Sequence, residues 1–99
     1  MCVTAYVVAS FSITNQAGYE AYRSAVWPTL QAHGCRILAA DYSTQVLEGE
    51  PNPVTVILEF ASKAAASAWY ESPEYQAIVH LRTDSSEGTV VLVEQWVAA

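Results

Sequence analysis

FASKAAASAWYESPEYQAIVHLR, residues 60–82, is the stretch whose reading decides the fold of this chain. It leaves a run of β-formers at Phe60, continues as helix, and breaks in the middle at Ser72-Pro73. Serine before proline restarts a helix. The serine oxygen can accept a free backbone N–H, and proline at the first helical position gives up a donor that had no partner there. Beyond the restart, Tyr75, Ile78, Val79 and Arg82 fall at i, i+3, i+4 and i+7, so an arginine closes an otherwise apolar stripe. A wet pocket or a charge partner is expected at that end of the helix.

Working outward, Val54 to Phe60 reads as a strand rich in β-formers, preceded by the turn Gly49-Glu50-Pro51-Asn52-Pro53. Arg36 to Glu48 is expected as another strand, with a bulge or bend at Asp41-Tyr42-Ser43. Before it, Asn15 occupies an N-cap position, and Tyr19, Tyr22, Val26, Leu30 and His33 recur at helical spacing up to Gly34, a natural C-cap. Pro28 falls inside this helix and is expected to kink it near Ser24. The first strand, Val3 to Ile13, is apolar on both faces and so is expected to be covered on both. After the broken helix, a polar loop from Thr83 to Gly88 leads to a last strand, Thr89 to Val97.

The order is β-α-β-β-α-β, an α+β, ferredoxin-like arrangement with a four-stranded antiparallel sheet. One domain over residues 1–99 is expected. Helices cover one sheet face. The other is still apolar, and pairing two sheets face to face would bury it. Composition points the same way. The hydrophobic fraction is 53% and the charged fraction 14%, against a usual apolar share of roughly 45–50%. A small monomer has too much surface for that balance, so a homodimer is expected.

The net charge is −6, from ten acids against four bases, and the bases are scattered. Nucleic acid, which needs clustered lysine and arginine, is therefore excluded as a partner, and an anionic membrane surface is disfavoured. No apolar run approaches the roughly twenty residues of a membrane span, and the N-terminus lacks the basic region of a signal peptide. Cys2 and Cys35 are too few for a disulfide framework and read as small, reduced apolar residues. The expected location is the cytoplasm.

Several segments together resemble the "domain of unknown function 1330" family of the dimeric α/β barrel superfamily. They are Ala5-Tyr6-Val7-Val8, Tyr19 and Tyr22, His33-Gly34, Leu47-Glu48-Gly49, Glu59-Phe60, and above all Ala68-Trp69-Tyr70-Glu71-Ser72-Pro73-Glu74-Tyr75-Gln76 with Leu81-Arg82. The likeness spans nearly the whole chain. Cys35, the Asp41-Tyr42-Ser43 bend, His80 and the Glu94-Gln95-Trp96 ending depart from the family pattern. The resemblance implies a dimer of ferredoxin-like subunits with an apolar pocket between helices and sheet. It implies no settled reaction. Elsewhere in the superfamily, similar barrels are cofactor-free oxygenases, isomerases, cyclases and haem-degrading enzymes.

Three residues are the candidates for chemistry. His80 suits acid–base work near neutral pH, its plain alternative being a partly exposed helix histidine. Arg82 can hold a carboxylate or enolate oxygen, or else form a salt bridge to Glu48. Tyr22 carries a hydroxyl that needs a partner if buried. Trp27, Trp69 and Tyr75 are expected to shape an apolar, substrate-binding cavity, although aromatics at helical spacing are often simply core. Glu48 joins the expected substrate contacts, against a reading as a loop anchor. Glu59, between Leu58 and Phe60, is expected to face the partner subunit as a paired carboxylate. His33 and His80 have no metal-ligand spacing, so neither a metal nor a cofactor is expected. Trp69 and His80 come within one residue of the haem-degrading relatives' spacing, but one residue turns a helix position by about 100°, which leaves haem a remote alternative.

The expected function is a small dimeric, cofactor-independent enzyme of oxygenase, isomerase or cyclase type. Its substrate would be a hydrophobic, aromatic or polyketide-like molecule. The rival is a non-catalytic small-molecule binding or scaffold protein.

Overall fold

The computed structural model describes residues 3–98. Cys2, read above as a reduced thiol, lies outside them. Eight elements follow one another: β1 (Ala5–Ile13), α1 (Gln16–Ala32), β2 (Arg36–Asp41), β3 (Val54–Phe60), α2 (Lys63–Tyr70), α3 (Pro73–Gln76), α4 (Val79–Thr83) and β4 (Ser86–Glu94). The strands form one antiparallel sheet in the order β2-β3-β1-β4. This is the ferredoxin-like α+β arrangement.

Alternation along β1 sets the two faces of the sheet. Ala5, Val7 and Phe11 are buried toward the helices, opposite Phe60, Leu58 and Val54 of β3. Tyr6 and Val8 point the other way, beside Val93 and Val91 of β4. At Phe11↔Gly88 the two backbones press together: a Cβ on Gly88 would run into the Ser10 carbonyl and the Phe11 backbone. Only glycine fits there.

Local signals fix both ends of α1. The Asn15 side chain accepts the Gly18 N–H at 3.1 Å. Gly34, at φ +66°, closes the other end, its N–H bonding the Gln31 carbonyl and the Cys35 N–H the Leu30 carbonyl. This is a Schellman cap. Pro28 leaves the Ser24 carbonyl without its usual N–H partner, yet α1 continues through it as one element. At the break in the second helical region, Ser72 does what the sequence predicts and more. Its buried hydroxyl accepts the Tyr75 N–H at 3.2 Å and donates to the Trp69 carbonyl at 2.7 Å, joining α2 to α3.

Five boundaries differ from the sequence expectation. β1 begins at Ala5 rather than Val3, and β2 stops at Asp41 rather than Glu48. There the Asp41 carboxylate accepts the Ser43 N–H at 2.8 Å, a local turn that takes the chain off the sheet. The restarted helix breaks again after Gln76, where the chain tightens before α4. β4 starts at Ser86 and ends at Glu94, its pairing with β1 running from Ile13↔Ser86 to Ala5↔Glu94, with one further bond from the Gln95 N–H to the Thr4 carbonyl.

The helices do not cover the sheet evenly. α2 sits close on β1 and β4, whereas α1 is held mainly through α3 and α4. Backbone N–H groups of Thr14 and Asn15 bond the carbonyl of buried Ser85, and the Trp69 indole N–H donates to Thr29 Oγ1 at 3.0 Å. Tied in this way, α1 stands off β2 and β3. The space beneath it is the site described next.

Candidate functional site

A cavity of about 390 Å³ lies between α1 and the helix-facing side of the sheet. Its floor is aliphatic, with Val7, Ala9, Ile37, Ala40, Val56 and Leu58. Trp69, 2% exposed, forms an inner wall, its indole fixed on Thr29 and its ring 5.4 Å from that of Phe60. The mouth opens toward the β2 edge, where Trp27 and Tyr42 are 47% and 39% exposed. A concave, mostly apolar space with a few convergent polar groups is the usual form of a small-molecule site.

The polar groups fall into two clusters. In the inner one, the Tyr22 and Tyr75 hydroxyls lie 2.9 Å apart, both buried, and Arg82 Nε donates to Tyr75 Oη at 3.4 Å. The Ser72 cap aims Tyr75 inward, and Arg82 reaches the same point from one break further along the chain. Half-buried Arg82 has no carboxylate within 4.0 Å among the described residues. Burial works against its charge, but the hydroxyls of Tyr75, Tyr22 and Tyr70 outweigh it, leaving the guanidinium pKa raised. Burial, followed by Tyr75, pushes the Tyr22 hydroxyl far above its ordinary value. Tyr22 is thus a phenol held protonated, a hydrogen-bond donor and not a base.

The outer cluster repeats the pattern. The Tyr19 and Tyr42 hydroxyls lie 3.1 Å apart, and the Arg23 guanidinium sits 5.3 Å from the Tyr42 ring centroid. Arg23 also meets Glu20 at 3.3 Å in a solvent-exposed pair, an arrangement that contributes about 0–1 kcal/mol. Two of the chain's four basic residues therefore line one cavity, and none of its ten acids does. In a protein of net charge −6 this is a local reversal of sign.

A family model described as "Domain of unknown function (DUF1330)" matches residues 4–96. The chain belongs to the DUF1330 family. Curated proteins offer no match. Solved structures similar to this DUF1330 chain include a protein of unknown function, RPA0582, from Rhodopseudomonas palustris. It is 14% identical with a TM-score of 0.80, over 99% of this chain and 86% of that one. A Caulobacter crescentus protein provisionally named an antibiotic biosynthesis monooxygenase is 17% identical, with a TM-score of 0.66 over 99% and 92%. A dimeric ferredoxin-like protein of unknown function from Thermobifida fusca is 12% identical, with a TM-score of 0.66 over 96% and 93%. At such identities the likeness shows the fold alone.

Within this DUF1330 fold, Tyr22, Trp27, Trp69, Tyr75 and Arg82 come together at the cavity. Two candidates do not. His80 is exposed on α4 and lines no part of it, because the break after Gln76 and its place beside the apolar stripe turn its side chain to solvent. Glu48 is exposed in the 42–53 loop, which leaves the sheet once β2 ends, and it makes no salt bridge to Arg82. Glu59 pairs with Arg36 at 3.9 Å across β2 and β3, on the face away from the helices. Sequence reasoning missed Arg23 and Tyr42. Arg23 follows Tyr22 and stands four residues after Tyr19, a helix spacing that could have flagged it. The position of Tyr42 depends on the Asp41 turn. Among the described residues, no three His, Cys, Asp or Glu side chains gather as a metal site, and no helix is long and apolar enough to cross a membrane.

Proposed function

We propose that this protein holds a small, largely apolar molecule carrying an anionic oxygen, with Arg82 and the Tyr22–Tyr75 pair as the oxygen's binding point. One observation carries the reading: a half-buried guanidinium, without a carboxylate partner among the described residues, opens onto an apolar cavity. A buried charge calls for a counter-charge, and a bound carboxylate, phenolate or enolate supplies one. The finer form of the proposal is an enzyme of oxygenase, isomerase or cyclase type. The site would take an enolate or phenolate that has already given its proton to solvent. The Arg82 guanidinium and the Tyr22 and Tyr75 hydroxyls beside it favour that anion and hold it in place. Tyr22, held protonated, would give that oxygen a hydrogen bond and neither remove nor supply a proton.

A second reading, binding without turnover, is favoured by a specific feature. The cavity lining contains no carboxylate and no histidine to take a proton from carbon.

The test begins with native mass spectrometry of freshly purified protein, followed by the same sample denatured, to weigh any bound molecule. Arg82→Met is expected to abolish binding of that molecule while the circular dichroism spectrum stays unchanged. Unchanged affinity would sink the role of Arg82. Recovery of the molecule chemically unaltered after long incubation would favour binding without turnover.

The same proposal includes a homodimer formed through the sheet face that the helices leave bare. Val91 and Val93 there are 50% and 41% exposed, and Ile57, across Val8 from Val91, is half-buried on the same face. The Thermobifida fusca relative of this fold is described as dimeric. Light scattering should give twice the chain mass, and Val91→Lys should give the monomer.

A further inference from the structure

The two polar clusters of the cavity have the same composition and the same hydroxyl–hydroxyl pairing, although Arg82 donates to a tyrosine hydroxyl where Arg23 lies over a tyrosine ring. Each is a pair of tyrosines in hydroxyl–hydroxyl contact, at 2.9 Å for Tyr22–Tyr75 and 3.1 Å for Tyr19–Tyr42, with one arginine beside it. One sits deep in the cavity and the other at its mouth. The rings of Tyr19 and Tyr22 bridge them, with centroids 5.9 Å apart on one face of α1. Between the clusters the surface is aliphatic and aromatic. A ligand with a single polar end would use the inner cluster and leave the exposed Arg23 and Tyr42 at the mouth facing water, whereas one with a polar group at each end would engage both clusters.

Resting on the reading of Arg82 above, we infer that the ligand is a flat, elongated aromatic compound with acidic oxygen functions at both ends. One end meets Arg82 and the Tyr22–Tyr75 pair. The other meets Arg23 and the Tyr19–Tyr42 pair. Glu20 engages Arg23 through Nη1 alone, so the remaining N–H groups of that guanidinium are available to an anion. The ring system lies on the floor of Ala9, Ala40 and Val56, where two alanines leave room for a planar body. Arg23 is therefore a specificity residue. It selects for the second acidic group, while Arg82 is needed for either.

Isothermal titration with three probes tests this: naphthalene, a naphthalene monocarboxylate, and the dicarboxylate with its groups at opposite ends of the rings. The dicarboxylate is expected to bind at least about tenfold more tightly than the monocarboxylate, the usual effect of one charge-assisted hydrogen-bonded contact. Arg23→Met should erase that advantage and leave monocarboxylate affinity unchanged. Tyr42→Phe, which keeps the ring under Arg23, should reduce the advantage in part. Arg82→Met should weaken both acids. If both acids bind through Arg82 with equal affinity, or if Arg23→Met leaves the advantage intact, the two-ended ligand is overturned while the Arg82 reading stands. If neither acid binds, or if Arg82→Met changes nothing, both fall together.

Discussion

The hydroxyl oxygens of Tyr22 and Tyr75 lie 2.9 Å apart although 53 positions separate the residues in sequence. That contact joins α1 to α3 above the cavity, and Arg82 attaches to its Tyr75 end. It is a structural tie and, in the function proposed above, part of the ligand's binding point, and the two roles are separable by measurement.

The tie should appear as coupling. Tyr22→Phe and Tyr75→Phe should each destabilise the fold by about 1–2 kcal/mol, because each leaves a buried hydroxyl short of a partner. The double substitution should cost less than their sum by about 1 kcal/mol. Urea unfolding of the four proteins gives the cycle, and simple additivity would show that the two hydroxyls do not interact.

Burial raises the pKa of both Tyr19 and Tyr22 above the ordinary phenol value of 10.0. The unfolded chain therefore releases these protons first as the solution becomes alkaline. Their contribution to stability is full below the unfolded value and declines as pH climbs through the window above it. Alkaline titration should show part of the tyrosinate absorbance appearing only together with loss of helix. Smooth titration of every tyrosine in folded protein would contradict the burial described.

Ser72→Ala removes a hydroxyl that both caps α3 and holds the Trp69 carbonyl. A loss of about 1–2 kcal/mol is expected in chemical denaturation. Ligand affinity should also fall, because Tyr75 loses its fixed direction. Ser72→Asp, which restores an acceptor at the cap, should recover part of the stability but not the donation to Trp69.

Gly88→Ala places a methyl group against the backbone of Ser10 and Phe11. The β1–β4 pairing must shift to admit it, a strain of about 1–3 kcal/mol or more. A large drop in melting temperature is expected, where Gly49→Ala, with open space around it, should cost only its left-handed backbone strain.

The element order was legible because each boundary residue acts locally. Asn15 caps α1 and Gly34 ends it through contacts within a few residues. Ser72-Pro73 marks its break in the same way. The inward position of Arg82 was legible from helical spacing with Tyr75, and that relation survives a second break between them. What the sequence could not display is distance across the fold. Arg23 and Tyr42 meet only because the Asp41 turn sets the Tyr42 ring against α1. His80 looked suited to catalysis by residue type, but its direction depends on the chain's turn after Gln76. The cavity itself comes from the height of α1 over the sheet, which is set by side chains from three other helices rather than by α1 alone.

The stand-off of α1 also bears on how much of this protein a cell retains. If the cavity beneath it takes the ligand proposed above, occupancy and folding are linked. A ligand at a hundredfold excess over its Kd adds about 2.7 kcal/mol, which for a chain of this size raises Tm by some ten degrees or more, at about 4–8 °C per kcal/mol. Chains without ligand open more often and are degraded sooner. The protein's abundance would then follow the supply of the molecule it holds, and growth conditions that raise its level become a guide to that molecule's source.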